Sequence, residues 1–185
     1  MIRELLQDAE ARMRAALNVL ESDLNTFRTG RASPSLLDRL TVEAYGAEVN
    51  LKEVALVSVP EPQQLAIRPF DVNILSQIER AILKSDLGLT PSNDGKIIRL
   101  NIPRLTEERR HDLSRQVGRR VEEARVAVRN VRRDTLNDLR EFERERLVSE
   151  DEFYQGQEDL QTLTNRYIEE IDAQGRRKEA EIMEV

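Results

Sequence analysis

Residues 106–147 read TEERRHDLSRQVGRRVEEARVAVRNVRRDTLNDLREFERERL, and this segment decides the fold. It contains no proline and a single glycine, Gly118. Its apolar residues recur at steps of three and four, with Thr135 filling the one gap: Leu113, Val117, Val121, Ala124, Val128, Val131, Leu139 and Phe142. This spacing predicts one amphipathic helix. At 1.5 Å per residue the helix is roughly 60 Å long, too long for the core of a compact domain.

Arginine side chains cluster on one side of this predicted helix. On a helical wheel, five of them fall within about a third of the circumference beside the apolar stripe. We call this set the arginine face, and it consists of Arg125, Arg129, Arg132, Arg133 and Arg140. The carboxylates of Asp134 and Asp138 lie on the far side. Most arginine-rich helix faces are simply solvated, but guanidinium groups also match phosphate geometry, so the pattern alone leaves both interpretations open.

The composition limits the kinds of chemistry available to the chain. Of its 185 residues 39% are apolar, 35% charged and only 4% aromatic, which fits a helix-rich protein with an aliphatic core. The absence of cysteine excludes disulfides, thiolate nucleophiles and cysteine metal sites. His111, the only histidine, lies beside two arginines in a predicted first helical turn, where a surface role is expected. We therefore expect neither a catalytic site nor a cofactor nor a metal.

Charge is distributed unevenly along the chain, although the net charge is −6. Residues 105–147 carry 12 basic and 10 acidic side chains, whereas residues 148–185 carry 4 basic and 11 acidic ones. An acidic third segment argues against indiscriminate binding of nucleic acid. The first residues are too acidic for a targeting peptide, and no window approaches the roughly 20 apolar residues of a membrane span. We expect a cytoplasmic protein that does not bind membranes.

The proline pattern divides the chain into two predicted domains. Apolar steps of three and four predict a first helix from Ile2 to Phe27, ended by Thr29-Gly30, and a third helix that follows the capping box Ser149-Glu150-Asp151-Glu152. All six prolines lie between residues 31 and 104. Residues 1–30 and 105–185 should form a discontinuous three-helix bundle, because no single helix has enough apolar surface to be stable alone. Residues 31–104 should form an inserted α+β domain.

Short strands and one helix are predicted inside this inserted domain. Alternating apolar residues predict strands at 40–44, 54–59, 65–67 and 98–102, with turns at Tyr45-Gly46, Pro60-Glu61-Pro62 and Asn93-Asp94-Gly95. Asp71 is positioned to cap a helix whose apolar face includes Ile78 and Ile82, with its end predicted at Gly88. Two crossings join the domains, and their six residues are the predicted hinge: Thr29, Gly30, Arg31, Pro103, Arg104 and Leu105. A plain helix stop and strand end are the alternative interpretation of Gly30 and Pro103.

Several motifs in chain order resemble those of the bacterial ribosome recycling factor family. They include RTGRASPSLLD at 28–38, IERAI at 78–82 with SDLGL at 85–89, PRLTEERR at 103–110, VAVRNVRRD at 126–134 and Ser149-Glu150-Asp151. The resemblance implies an α+β, mainly α, L-shaped molecule of transfer-RNA outline. Its parts would be a long antiparallel three-helix bundle and an inserted small β/α/β domain.

The resemblance also implies a function and a set of contact residues. A member of this family binds the large ribosomal subunit of the post-termination complex. Together with elongation factor G and its GTP hydrolysis, it promotes subunit splitting and release of messenger RNA and the last transfer RNA. The residues implied as ribosomal-RNA contacts are Arg28, Arg31, Arg125, Arg129, Arg132 and Arg133. We expect a monomer with no enzymatic activity of its own.

Two other functional classes fit parts of the sequence. A helical coiled-coil adaptor or structural protein accounts for the long helices, but it does not explain an inserted α+β domain or a one-sided arginine face. A hydrolase could use the abundant carboxylates, but these follow exposed helix faces, and neither a glycine-rich phosphate loop nor a metal motif is present. Co-sedimentation with ribosomes distinguishes these classes from the family implied by the resemblance.

Overall fold

The structure is a computed structural model that describes residues 1–184. It divides into two compact units, one formed by Met1–Arg28 with Glu107–Glu184 and the other by Thr29–Thr106. In chain order the elements are α1 (Ile2–Asn25), β1 (Thr41–Ala44), β2 (Ala47–Asn50), α2 (Leu51–Val54), β3 (Ala55–Glu61), β4 (Gln64–Pro69), α3 (Leu75–Lys84), β5 (Pro91–Asn93), β6 (Ile98–Asn101), α4 (Glu107–Arg144) and α5 (Glu150–Met183). The predicted class, α+β with mainly helices, is confirmed.

The helical unit is a three-helix bundle in which α4 packs against both α1 and α5. The predicted apolar stripe of α4 faces inward, and its eight buried positions are Leu113, Val117, Val121, Ala124, Val128, Val131, Thr135 and Leu139. The remaining stripe residue, Phe142, is half-buried. Thr135, the one polar member, is only 1% exposed, so the stripe continues through the gap in apolar spacing.

Two glycines of α5 permit a close approach of the bundle helices. A Cβ atom at Gly175 would lie 2.7 Å from Cγ2 of Val121, and one at Gly156 would lie 3.1 Å from Cγ2 of Ile2 and 3.4 Å from Cδ2 of Leu139. Because later residues of α5 meet earlier residues of α4, these two helices are antiparallel. The spacing of apolar residues in the sequence does not predict these glycine contacts.

The ends of the long helices agree only partly with prediction. The predicted capping box is present: the hydroxyl of Ser149 accepts from the Glu152 amide at 3.3 Å, and the Glu152 carboxylate accepts from the Ser149 amide at 2.8 Å. Helix α1 ends at Asn25, earlier than predicted, because Thr26 hydrogen-bonds back to the carbonyl of Asp23. Gly30 has a positive φ of 77°, but it lies in the segment after the helix and is not its cap.

The small unit contains two antiparallel sheets and a ten-residue helix. Strands β1 and β2 form a hairpin, and the second sheet has the order β3-β4-β6-β5. Tyr45 and Gly46 both have positive φ, as the tight turn between β1 and β2 requires. The core of this unit is aliphatic and includes Ile67, Ile78 and Leu100, all fully buried.

Three details of the small unit differ from the sequence-based prediction. Helix α3 ends at Lys84 and not at Gly88, because the Ser85 hydroxyl donates to the Ile82 carbonyl at 2.6 Å; Gly88 lies in the following loop. Strand β3 continues through Pro60 to Glu61, so the chain turns two residues later than predicted. A register shift between Ser58 and Glu61 on this edge strand accommodates the proline. The short elements β2, β5 and α2 were not predicted.

Asp71, the predicted cap of this helix, caps a short 3-10 turn, Val72–Ile74, that leads into α3; α3 itself begins at Leu75 and has no side-chain cap. The Asp71 carboxylate accepts from the Asn73 amide at 2.9 Å and also from the Tyr45 hydroxyl at 2.9 Å.

Within residues 1–184, none of the helices is long and apolar enough to cross a membrane.

Candidate nucleic-acid interface

The arginine face of α4 lies outside the buried stripe, as the helical wheel predicts. Arg129, Arg133 and Arg140 are exposed, whereas Arg125 and Arg132 are half-buried. The opposite side of α4 faces α1, since Nη2 of Arg12 contacts Oδ2 of Asp134 at 2.9 Å. Arg125 and Arg132 lie on the part of α4 next to α5, whereas the other three arginines lie on its exposed side and contact residues of α4 itself.

Two carboxylates neutralise the upstream half of the face, which consists of Arg125 and Arg129. Nη2 of Arg125 lies 2.7 Å from Oδ1 of Asp172 on α5, and Nη1 of Arg125 lies 2.9 Å from Oε2 of Glu122. Glu122 also contacts Arg129, whose Nη1 lies 3.2 Å from Oε1. The Arg125 and Asp172 side chains are only 32% and 28% exposed. Arg125 therefore joins α4 to α5 through a partly buried ion pair, whereas Arg129 pairs within α4.

The electrostatics of the upstream half agree with that geometry. The pKa of the Glu122 carboxyl is lowered from its ordinary value, chiefly by the hydrogen bond from Arg125, with a smaller contribution from the charge of Arg129. The pKa of Arg125 is raised, first by its hydrogen bond to Glu122 and then by that to Asp172. Both partners therefore remain ionised at neutral pH, and most of the positive charge of this half is compensated.

The downstream half of the face, Arg132, Arg133 and Arg140, has neutral partners. Nη1 of Arg132 donates to Gln161 on α5 at 2.9 Å. Arg133 donates to Asn130 at 3.0 Å, and Arg140 donates to Asn137 at 3.5 Å. An amide oxygen orients a guanidinium without cancelling its charge. These three side chains therefore keep the positive charge that a phosphate-binding surface needs.

Two residues that divide the face, Glu122 and Asp172, are absent from the contacts predicted from the sequence. Glu122 lies three residues before Arg125 and seven before Arg129, so the helical wheel already places it among the arginines. Asp172 could not be found in this way, because its contact depends on how α5 aligns with α4. Arg125, a predicted RNA contact, pairs with Glu122 and Asp172, and its RNA contact stays a prediction.

The remaining predicted contact and hinge residues lie outside α4. Arg28 follows α1 in the helical unit, and Arg31 belongs to the small unit; both are exposed. Within the small unit the two crossings lie side by side, since a Cβ at Gly30 would be 3.3 Å from Cγ of Leu105 and 3.6 Å from the Pro103 carbonyl oxygen. Nε of Arg104 donates to Gln63 at 3.1 Å, and Thr29 is buried.

No candidate metal-binding site is present in the described part of the chain. Across residues 1–184, no three His, Asp or Glu side chains are grouped so that they could hold a metal ion. His111 is exposed in the first turns of α4.

Comparison with known proteins identifies the family. The family described as "Ribosome recycling factor" matches residues 20–183. This chain belongs to the ribosome recycling factor family. Ribosome-recycling factors of Roseiflexus castenholzii and Halalkalibacterium halodurans are 52% and 54% identical to it over 185 residues, which is all of this chain and all of each relative. The assignment makes the protein a translation factor for ribosome recycling rather than an enzyme or an adaptor.

Two solved structures of ribosome recycling factors resemble the fold. A solution structure is 40% identical, with a TM-score of 0.75, covering 100% of this chain and 98% of that one. A second is described as models for the T. thermophilus ribosome recycling factor and the E. coli elongation factor G bound to the E. coli post-termination complex. It is 45% identical, with a TM-score of 0.65 and 99% coverage of both chains.

Proposed function

We propose that this chain binds the large ribosomal subunit of the post-termination complex through the downstream half of its arginine face. With elongation factor G and the GTP hydrolysis of that partner, it then promotes subunit splitting and releases messenger RNA. Its place of action would be the bacterial cytoplasm, where ribosomes are. The family assignment supports the recycling role, and the related complex of recycling factor, elongation factor G and ribosome supports the partner.

The pairing of the arginines carries the choice of surface. Arg132, Arg133 and Arg140 contact neutral amides, whereas Arg125 and Arg129 contact Glu122 and Asp172. Each uncompensated guanidinium that replaces a counterion on RNA contributes to affinity through counterion release. The many carboxylates of α5 disfavour RNA along most of that helix, so we expect binding in the bundle to be concentrated near the downstream half of the face. Arg28 and Arg31 are retained as further contacts, supported by the family motif at 28–38.

A comparison of two α4 surface variants tests this assignment. Arg132→Glu replaces a side chain that donates hydrogen bonds to phosphate with a carboxylate, which has the same sign of charge as RNA. Affinity for the isolated large subunit should therefore fall by roughly tenfold or more, and the salt slope should decrease by roughly one unit. Asp138→Arg, on the other side of α4, is the control and should change both quantities little. Thermal unfolding checks that each variant is folded. Wild-type affinity and slope in Arg132→Glu would show that the face is only a solvated surface.

We further propose that Thr29–Arg31 and Pro103–Leu105 form a hinge used during subunit splitting. Gly30 supports this, because its φ is 77° and a Cβ there would lie 3.3 Å from Cγ of Leu105 on the other crossing, which leaves little room for a side chain. Gly30→Ala should strain the crossing and slow splitting in the presence of elongation factor G, while affinity for the large subunit stays near wild type. A variant that splits subunits at the wild-type rate would contradict the hinge.

A further inference from the structure

An aromatic cleft opens beside the downstream half of the arginine face. It lies between α4 and α5 and has a volume of about 450 Å³. Its walls include Arg132 and Leu136 from α4, and Tyr154, Glu158 and Gln161 from α5. The size is within the range of clefts that hold small organic groups. None of the predicted contacts accounts for the α5 side of this cleft.

The Tyr154 ring gives the cleft a flat apolar surface that the fold does not use. It is 59% exposed, although its neighbour Phe153 is buried. The two rings contact edge to face, with centroids 5.5 Å apart, so Phe153 restricts where the Tyr154 ring can lie. A braced, exposed aromatic ring suits stacking against another planar group.

Arg132 gives the same cleft a charge with spare hydrogen-bonding capacity. Gln161 accepts from its Nη1 atom, and its Nε is shielded from solvent without a hydrogen-bond partner among residues 1–184. A guanidinium has five N–H donors, and Gln161 is the described acceptor for only one of its nitrogens, so Arg132 keeps donors for an incoming anionic oxygen. Leu136 is half-buried and lies on the same side of α4, so the cleft combines an apolar wall with a cation.

We propose that this cleft holds a single unpaired nucleotide of RNA, with the base stacked on Tyr154 and the phosphate at Arg132. The proposal rests on the function proposed above. A base inside a duplex is already stacked on both sides, so only an unpaired base is available to an aromatic ring. Glu158, one helical turn after Tyr154, provides an acceptor for N–H groups on the base edge. The opposite charges of Arg132 and Glu158 thus fix the direction of the nucleotide.

RNA fits this cleft better than a protein segment does. Arg133 and Arg140, on the exposed side of α4, lie outside the cleft, and their hydrogen-bond partners are also neutral amides. A nucleotide within a longer RNA brings neighbouring phosphates to those side chains, and this matches the row of cations along α4. A peptide with one carboxylate would satisfy Arg132 alone.

Stacking and phosphate contacts differ in their dependence on salt, which makes the proposal testable on its own. Tyr154→Ala in the full-length protein should weaken binding to the isolated large subunit roughly tenfold, as loss of one stacked base does, and leave the salt slope unchanged. Tyr154→Phe keeps the ring and should bind like wild type. If Tyr154→Ala binds with wild-type affinity while Arg132→Glu is impaired, the stacking site is wrong and the proposed function stands. If the wild type itself does not bind the subunit, the proposed function and the stacking site both fail.

A photocrosslink identifies the occupant directly. Tyr154→p-benzoylphenylalanine, bound to the large subunit and irradiated, should crosslink to ribosomal RNA at an unpaired nucleotide. The same photoreactive residue at Gln155, a neighbouring exposed position outside the cleft, is the control and should give a weaker RNA crosslink. A crosslink from position 154 only to a ribosomal protein, or only to a base-paired nucleotide, would overturn the proposal.

Discussion

The two halves of the arginine face contain the same side chain and differ in what surrounds it. Upstream, Arg125 and Arg129 contact Glu122, and Arg125 also contacts Asp172. Downstream, Arg132, Arg133 and Arg140 hydrogen-bond to neutral amides. The number of arginines on a helix face therefore overestimates the positive charge that is available to bind phosphate. Available charge depends on the partners, and those come partly from another helix.

The same contacts assign different tasks to the halves. A fully exposed ion pair contributes little to stability, because water screens it and ordering two long side chains costs entropy. The Arg125–Asp172 pair is partly buried and joins two helices, so it should contribute more. We therefore propose that Arg125 stabilises the α4–α5 contact and that the downstream half keeps its charge for a ligand.

The largest expected effect concerns the helix contact beneath the upstream half. Gly175→Ala places a Cβ 2.7 Å from Val121, so the helices must move apart or Val121 must shift. We expect a loss of about 1–3 kcal/mol in the free energy of unfolding. The salt slope of large-subunit binding should not change, because the downstream arginines are untouched. Chemical denaturation and binding measurements on the same variant check both expectations.

Gly118→Ala is the matched control within the bundle. A Cβ at Gly118 would meet no atom within 4 Å, so this change should raise stability by about 0.5–1 kcal/mol through reduced backbone entropy of the unfolded chain. Equal effects of the two substitutions would mean that the close approach at Gly175 does not matter. In that case the packing of α5 against α4 does not depend on this glycine contact.

A smaller effect, on binding, is expected when a carboxylate that compensates the upstream arginines is removed. Glu122→Gln removes the only described carboxylate partner of Arg129 and one of the two partners of Arg125. Affinity for the large subunit should rise a fewfold at low salt, with a salt slope steeper by up to roughly one unit. Glu123→Gln, which leaves Arg129 paired, should not reproduce this. An unchanged slope in Glu122→Gln would mean that the upstream half lies outside the interface altogether.

The sequence predicts the features that arise from periodicity and misses those that depend on the alignment of neighbouring elements. The stripe of α4 and the Ser149 capping box are local patterns, and both are present in the structure. The Asp172 contact depends on how far α5 is shifted along α4, and a helical wheel contains no such information. Strands β2 and β5 are short and mostly exposed, so they lack the alternation that marks a half-buried strand.

Glu122 and Gly88 illustrate errors of a different kind. Glu122 is visible on the wheel, but residues 124–133 contain four arginines and no acidic residue, and Glu122 lies just before this most basic part of α4. Gly88 has the positive φ expected of a helix-ending glycine, yet Ser85 ends the helix first through its own hydroxyl. A competing local hydrogen bond therefore decides the boundary.

The most direct test of the division of the arginine face compares Arg132→Gln with Arg125→Gln in large-subunit affinity measured against salt concentration. The two substitutions are identical, and they lie seven residues apart, two turns along the same face of α4. We expect Arg132→Gln to weaken binding and reduce the salt slope by roughly one unit, with stability almost unchanged. Arg125→Gln should lower the unfolding temperature and keep the wild-type slope, because its charge is compensated by Glu122 and Asp172. Equal slopes for the two variants, or a larger loss for Arg125→Gln, would contradict the division.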